Sequence, residues 1–408
     1  MVPGVSPPQS DVKRHRMRTI TTTEALAEYC AKARQQPYVT IDTEFLRERT
    51  YYSRLCLIQM ALPNNGEAVL IDPIAGSEMK LDPIFELFRD TSVVKVFHAA
   101  RQDLEIFWFE GEVFPEPLFD TQVAAMVCGF GEQVGYETLV KKIVRGRVDK
   151  TSRFTDWSRR PLTDAQKTYA ISDVTHLRGI YEELARQLKE NGRERWLQEE
   201  LGILTDPNTY VIDPEQAWRR VKTRTNTGRF LGMVKALAAF RERHAQTNNV
   251  PRNRVFKDDA LLELASTRPR SREDLGKSRL LLREARKGVI AEGIVAAVET
   301  GLNMPDAELP KVNRDREKLQ VNPAIADMLR VLLKAKSEES GVAAKLIASA
   351  ADLDGIAGGL REAAALRGWR HEVFGADALR LCAGEIGLTV SGQSVRVIDL
   401  EPNGKPRA

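Results

Sequence analysis

Residues 38–45 read YVTIDTEF, and the architecture of the chain turns on how that stretch is taken. Val39 and Ile41 alternate with Thr40, Asp42 and Glu44, a period of two that predicts a β-strand. Residues two apart on a strand share a face, so Asp42 and Glu44 point the same way and can grip one ion. Downstream, the runs RLCLIQMAL (54–62) and EAVLIDP (67–73) are rich in Val, Ile and Leu and are separated by the turn signal Pro63-Asn-Asn-Gly66. They read as the next two strands of the same sheet. Upstream, Thr21-Thr-Thr-Glu24 has the form of a capping box for a helix through EALAEYCAKA (24–33).

Farther out, helical patterning near 79–90 is followed by a strand at VVKVFHA (93–99) and an amphipathic helix from Arg101 to about Glu110. Strands first, then alternating strand and helix, predict a mixed sheet with helices on its faces. From Thr121 to Leu201 the pattern is helical, broken at Gly129-Phe-Gly131 and across the polar stretch Asp149 to Leu162. Thr205 to Pro214 punctuates the chain, and the residues beyond it are helical again, with stops at Asn249-Val-Pro251, Arg268-Pro-Arg270 and Gly301. Met304 to Leu319 is Pro-containing and charged, which suits a linker, and a last helical unit is expected over 322–400.

At 408 residues with 42% hydrophobic content the chain can bury more than one core. The net charge of +4 permits a nucleic-acid partner without establishing one. Cys30, Cys56, Cys128 and Cys382 are too scattered for paired zinc ligands or a disulfide framework, which points to a reducing, cytoplasmic setting. No apolar run is long enough to span a bilayer, and the opening MVPGVSPPQS reads as a disordered segment rather than a secretory signal.

Three further groups join Asp42 and Glu44. Asp103 follows the apolar strand expected at 93–99 and falls in the first turn of the next helix, where the helix dipole alone would favour an acid. Tyr169 and Asp173 are four apart on a helix and so share a face. Taken singly, each has an ordinary explanation: a solvated strand end, a dipole partner, a buried tyrosine with a polar neighbour. Converged by one fold, four carboxylates form an anionic pocket that demands divalent cations. Hard ions such as Mg²⁺ or Mn²⁺ suit oxygen ligands and leave positions open for water and phosphate.

The ordered set resembles a known family. VTIDTEFLRERTYYSRLCLIQ (39–59), VFHAARQDLEIF (96–107), FDTQVAA (119–125) and DWSRRPLTDAQKTYAISDV (156–174) look like successive motifs of the ribonuclease D family, in the tyrosine branch of the DEDD 3′–5′ exonucleases. The sister branch carries a histidine five residues before the last aspartate, where this chain has Thr168, with Tyr169 four before. Ser53 stands where many relatives have proline, and Ile171-Ser172 replaces small residues near the last aspartate; neither change removes a ligand. The resemblance implies an α/β exonuclease domain with a ribonuclease H-like mixed sheet flanked by helices, and all-α HRDC-type helical bundles after it. It also implies two divalent ions about 4 Å apart, bracketing the scissile phosphate. Asp42 would bridge them, Glu44 and Asp173 would serve the ion nearest the nucleophilic water, and Asp103 the other. Tyr169 would position that water, since a phenol with a pKa of about 10 is a poor base at neutral pH.

Around this core, Arg47, Arg49, Lys150 and Arg160 are candidates for phosphate contact, His98 for facing the site and Trp157 for stacking a base; solvated surface or packing are the competing readings. Pro214-Glu-Gln-Ala-Trp218, then residues 240–265 and Arg268-Pro-Arg270, resemble the helicase-and-RNase-D C-terminal (HRDC) module. The basic residues Arg219, Arg220, Lys222, Arg224 and Arg229 leave phosphate contact and a merely solvated face both open there. The expected organisation is a disordered segment at 1–17, an exonuclease domain at 18–204, an HRDC domain at 212–302, a linker at 303–320 and a second HRDC-like domain at 321–401. The expected activity is trimming of RNA 3′ ends, with 3′-extended tRNA precursors as substrate, by a monomer that binds no membrane. DNA as the substrate, or a non-catalytic RNA-binding scaffold, are the rival readings.

Overall fold

The computed structural model describes residues 18–149, 151–225, 227–311 and 320–400. The N-terminal segment expected to be disordered, Lys150, residue 401 and residues 312–319 of the expected linker lie outside the described residues. The N-terminal unit is built on a six-stranded sheet in the order β1-β4-β3-β2-β5-β6. Its strands are β1 (Arg18–Ile20), β2 (Tyr38–Leu46), β3 (Arg54–Ala61), β4 (Ala68–Ile71), β5 (Val94–Phe97) and β6 (Leu118–Asp120). β2, β3 and β4 pair antiparallel as neighbours, while β1 joins β4, and β5 and β6 extend from β2, in parallel.

Helices cover both faces. α1 (Thr23–Ala33), α2 (Asp82–Arg89), α3 (Arg101–Gly111), α4 (Thr121–Val127), α5 (Tyr136–Leu139), α6 (Asp164–Glu190) and α7 (Glu194–Leu204) come in chain order. α1 packs with α2, and α6 crosses β2, β3 and β4. Because both faces are covered, β3 is buried at every position after Arg54. The start of α1 differs in detail from the sequence expectation: Thr22, not Thr21, is the cap, and its hydroxyl accepts from Ala25 N at 3.3 Å. A true capping box lies instead at α6, where Thr163 and Gln166 satisfy each other's backbone amides.

Beyond Tyr210, a second buried cluster runs from Ala217 to Val298 and a third from Leu329 to Ile386. The second is formed by α8 (Gly228–Thr247), α9 (Arg252–Val255), α10 (Asp258–Thr267), α11 (Arg272–Gly276) and α12 (Gly288–Asn303). The third is helical to Ala383 but closes with an antiparallel hairpin, Ile386–Ser391 with Ser394–Asp399, where only helix was expected. Gly392, at φ +63°, supplies the left-handed turn that the hairpin requires.

Candidate active site

The register of β2 fixes the first two acids. Asp42 lies opposite Gln59 and Glu44 opposite Leu57, and the ladder shifts between Glu44 and Phe45. Glu44 is therefore the last regular rung before a bulge, a frequent device for aiming side chains at a site. α6 lies across this strand, and the Thr40 hydroxyl reaches Val174 O at 2.8 Å. That tether brings Asp173 over Asp42 and Glu44. One oxygen from each of the three carboxylates falls within 4.8 Å of the others. Tyr169, one turn before Asp173 on α6, donates its hydroxyl to the Asp173 carboxylate.

Asp103 arrives by a different route. After β5 the chain turns through Ala99 at φ +56°, an unfavourable conformation for a residue with a Cβ. The Asp120 carboxylate holds that turn, accepting from Ala99 N at 3.1 Å and Ala100 N at 2.8 Å, while it also caps α4 through Gln122 N and Val123 N. α3 then begins, and Asp103 in its first turn accepts the Thr43 hydroxyl. The residue between the two β2 acids is thus tied to the third.

Mutual repulsion and desolvation are legible in the titration of these groups. Burial, then the Asp173 charge, pushes the Asp42 carboxyl well up; burial, then the Asp42 charge, does the same to Asp103. Glu44 rises to about 10, from burial first and the charges of Asp42, Asp173 and Asp103 next. Asp173 rises to about 7 through burial, opposed by the Tyr169 hydroxyl and Arg153. Tyr169 is held protonated by burial and then by the charges of Asp173, Glu44 and Asp42. The Oδ1 atom of Asp173 is buried with no hydrogen-bond donor in reach. An oxygen-only donor set, a repelling trio and an orphaned carboxylate oxygen all fit a hard divalent cation.

Asp42, Glu44 and Asp173 line a cleft of about 700 Å³, with Tyr136, His98, Arg47, Arg153 and Phe154 on its walls, whereas Asp103 is buried behind Thr43 and is not part of the cleft lining. His98 faces the cleft but shares its Nδ1 with the Thr121 hydroxyl at 2.9 Å, and burial holds it neutral by lowering its pKa. Arg47 reaches the cleft while paired to both oxygens of Glu105, at 2.8 and 3.1 Å. Arg49 is exposed on the following loop and is not on the cleft wall.

Two sequence expectations change. Arg160 does not face the cleft: it is clamped to Asp72 at 2.6 Å and donates to the carbonyls of Cys56 and Trp157, so its donors are spent inside the protein. Trp157 is only 2% exposed, packed with Leu57, Leu70 and Ala170 beneath Tyr169, and offers no face to a base. Sequence reasoning also missed Thr43, Asp120 and Tyr136. Tyr136 hands its hydroxyl to the Asp173 carbonyl and so braces α6 at the site. Position in the quoted motifs could have flagged Thr43 and Asp120; nothing local marks Tyr136.

This fold and this site define a 3′–5′ exonuclease, and the family profile carrying that description matches residues 17–189. A profile for the HRDC domain matches residues 230–296. The chain belongs to the ribonuclease D family: it is 62% identical over 384 residues to ribonuclease D of Jannaschia sp. (strain CCS1), covering 94% of this chain and 99% of that protein. With ribonuclease D of Granulibacter bethesdensis the identity is 48% over 381 residues, covering 93% and 96%. Among solved structures it resembles Escherichia coli RNase D, described as an exoribonuclease involved in structured RNA processing. That likeness has a TM-score of 0.78 and 30% identity, covering 91% of this chain and 99% of the other.

Proposed function

We propose that the chain is a metal-dependent exoribonuclease that removes nucleotides from RNA 3′ ends as nucleoside 5′-monophosphates, with 3′-extended tRNA precursors as its substrate class. The observation that carries this reading is the carboxylate trio of Asp42, Glu44 and Asp173 within 4.8 Å, beneath the Tyr169 hydroxyl. The description of the Escherichia coli relative as a processor of structured RNA supports the substrate class. Asp42 would be shared between two divalent ions, with Glu44 and Asp173 completing the site beside the attacking water and Asp103 serving the second. Bound there, such ions supply positive charge to the attacking and leaving oxygens of an in-line displacement.

The chain's own groups set the geometry. Tyr169 stays protonated and gives its one hydrogen to Asp173, so its oxygen would accept from the water and orient it without taking its proton. Asp173 accepts from Tyr169 and is thereby fixed in rotation, and Thr43 fixes Asp103 in the same manner. A site that takes a single strand end and not a duplex would account for exonucleolytic action.

On this reading the exonuclease unit spans 18–204, the HRDC unit 212–302 and a second HRDC-like unit 321–401. We further take the protein to be a cytoplasmic monomer. Its four unpaired cysteines suit a reducing compartment, and among the described residues no helix is long and apolar enough to cross a membrane. The test is digestion of 3′-extended tRNA, and of single-stranded RNA and DNA of matched sequence, with Mg²⁺, with Mn²⁺ and with chelator. Stepwise shortening of RNA that chelator stops is expected. Preference for DNA, or activity undiminished by chelator, would overturn the assignment.

A further inference from the structure

The aromatic offered by the sequence as a base-stacking group is buried, yet three residues before it Phe154 is 91% exposed, more than any other large apolar side chain among the described residues. An exposed phenyl ring gains nothing from the hydrophobic effect, so folding does not account for it. Phe154 lies on the wall of the acid cleft together with Arg153, whose guanidinium carbon stands 5.3 Å from the ring centroid.

The surrounding contacts fix this presentation. Ser152 is 4% exposed, and its carbonyl accepts from Thr155 N at 3.2 Å and Thr155 Oγ1 at 2.8 Å. Gln166 in the first turn of α6 donates its Nε2 to Thr155 Oγ1 at 3.1 Å. Two residues after Thr155, Trp157 is packed in the core against Tyr169. The turn carrying Arg153 and Phe154 is therefore held by the buried Ser152 before it and anchored after it, through Thr155 and Trp157, to the helix that carries Tyr169 and Asp173.

We propose that Phe154 is a stacking platform for the base of one of the two nucleotides flanking the scissile bond, with Arg153 beside it meeting the backbone phosphate. The inference rests on the exoribonuclease reading above and deepens it. Arg153 covers one face of the ring, which leaves the other for a base, and every base has a π-face to offer. A contact of that kind holds any sequence, as an enzyme that advances one nucleotide at a time requires. Arg153 lines the same cleft as Glu44 and Asp173, which sets a cation beside the acids.

The test is single-turnover digestion of a single-stranded RNA in Mg²⁺ by the wild type, Phe154→Ala and Phe154→Trp. It is repeated on RNAs carrying an abasic residue at the last or the penultimate position. Phe154→Ala should raise the half-saturating concentration about 5- to 100-fold, the range for one base–aromatic stack, with little change in maximal rate, and Phe154→Trp should restore it. With the abasic residue at one of the two positions, the wild type should weaken equally and Phe154→Ala should lose nothing more. Equal behaviour of Phe154→Ala and wild type on intact RNA, or a penalty that persists on both abasic RNAs, overturns the proposal while leaving the exoribonuclease reading intact. A wild type that does not shorten RNA overturns both.

Discussion

Asp173 illustrates what single residues cost and supply here. An aspartate in an unfolded chain titrates at about 3.9, whereas burial lifts this one to about 7. The folded protein therefore binds the proton more tightly than the unfolded one, and without metal it loses stability as pH climbs from about 4 to about 7. Asp173→Asn should flatten that part of the stability curve and melt higher than wild type in chelator above pH 7. The same variant should abolish turnover, and added Mg²⁺ should stabilise only the wild type. Identical melting profiles would show that the carboxylate is not destabilised by its surroundings. Trp157 belongs to the other category of residue. Trp157→Ala should lower unfolding free energy by about 3–5 kcal/mol, the usual cost of emptying an aromatic site in a core; weakened RNA binding in an equally stable protein would return Trp157 to the substrate.

At the scale of elements, α6 matters most, since it brings two site residues to the sheet. Thr163→Ala removes the hydroxyl of its capping box and should cost about 1 kcal/mol in denaturant unfolding; no change in midpoint would mean that packing alone holds that end. Strands and helices of ordinary length were legible because periodicity is local: β2, β3 and β4 were read as neighbours and are. The three-residue strands β1 and β6 were not, because so short a run is a strand only by virtue of its partner. The closing hairpin was misread as helix, although Ile386, Leu388 and Val390 alternate before Gly392 and Val395 and Val397 alternate after it. Asp42, Glu44, Asp173 and Tyr169, which the fold brings together, could be picked out by their order and spacing. Arg160 was misjudged because Asp72 stands 88 positions away in sequence, and the exposure of Phe154 comes from anchors that only the folded chain reveals.

Across the whole molecule, both C-terminal units are docked on the nuclease unit. The third cluster meets α7: Glu200 accepts from Arg370 at 2.6 Å and from the Trp369 indole at 2.8 Å, and Trp369 stacks on Trp196. Because Glu200 and Arg370 are largely shielded from water, truncating one strands the other. Glu200→Ala should cost about 3–5 kcal/mol and should make the C-terminal unit melt ahead of the rest in calorimetry; a single unshifted transition would show that the pair is dispensable. The second cluster is latched elsewhere. Asn249 accepts from Tyr51 N and Tyr52 N at 3.0 Å each, and the Tyr51 hydroxyl bonds Glu242. Those tyrosines sit on the loop that leaves β2 after Leu46 and leads to β3. A load applied to the helical unit is therefore delivered to the loop that continues the strand holding Asp42 and Glu44, so the two units share one lever.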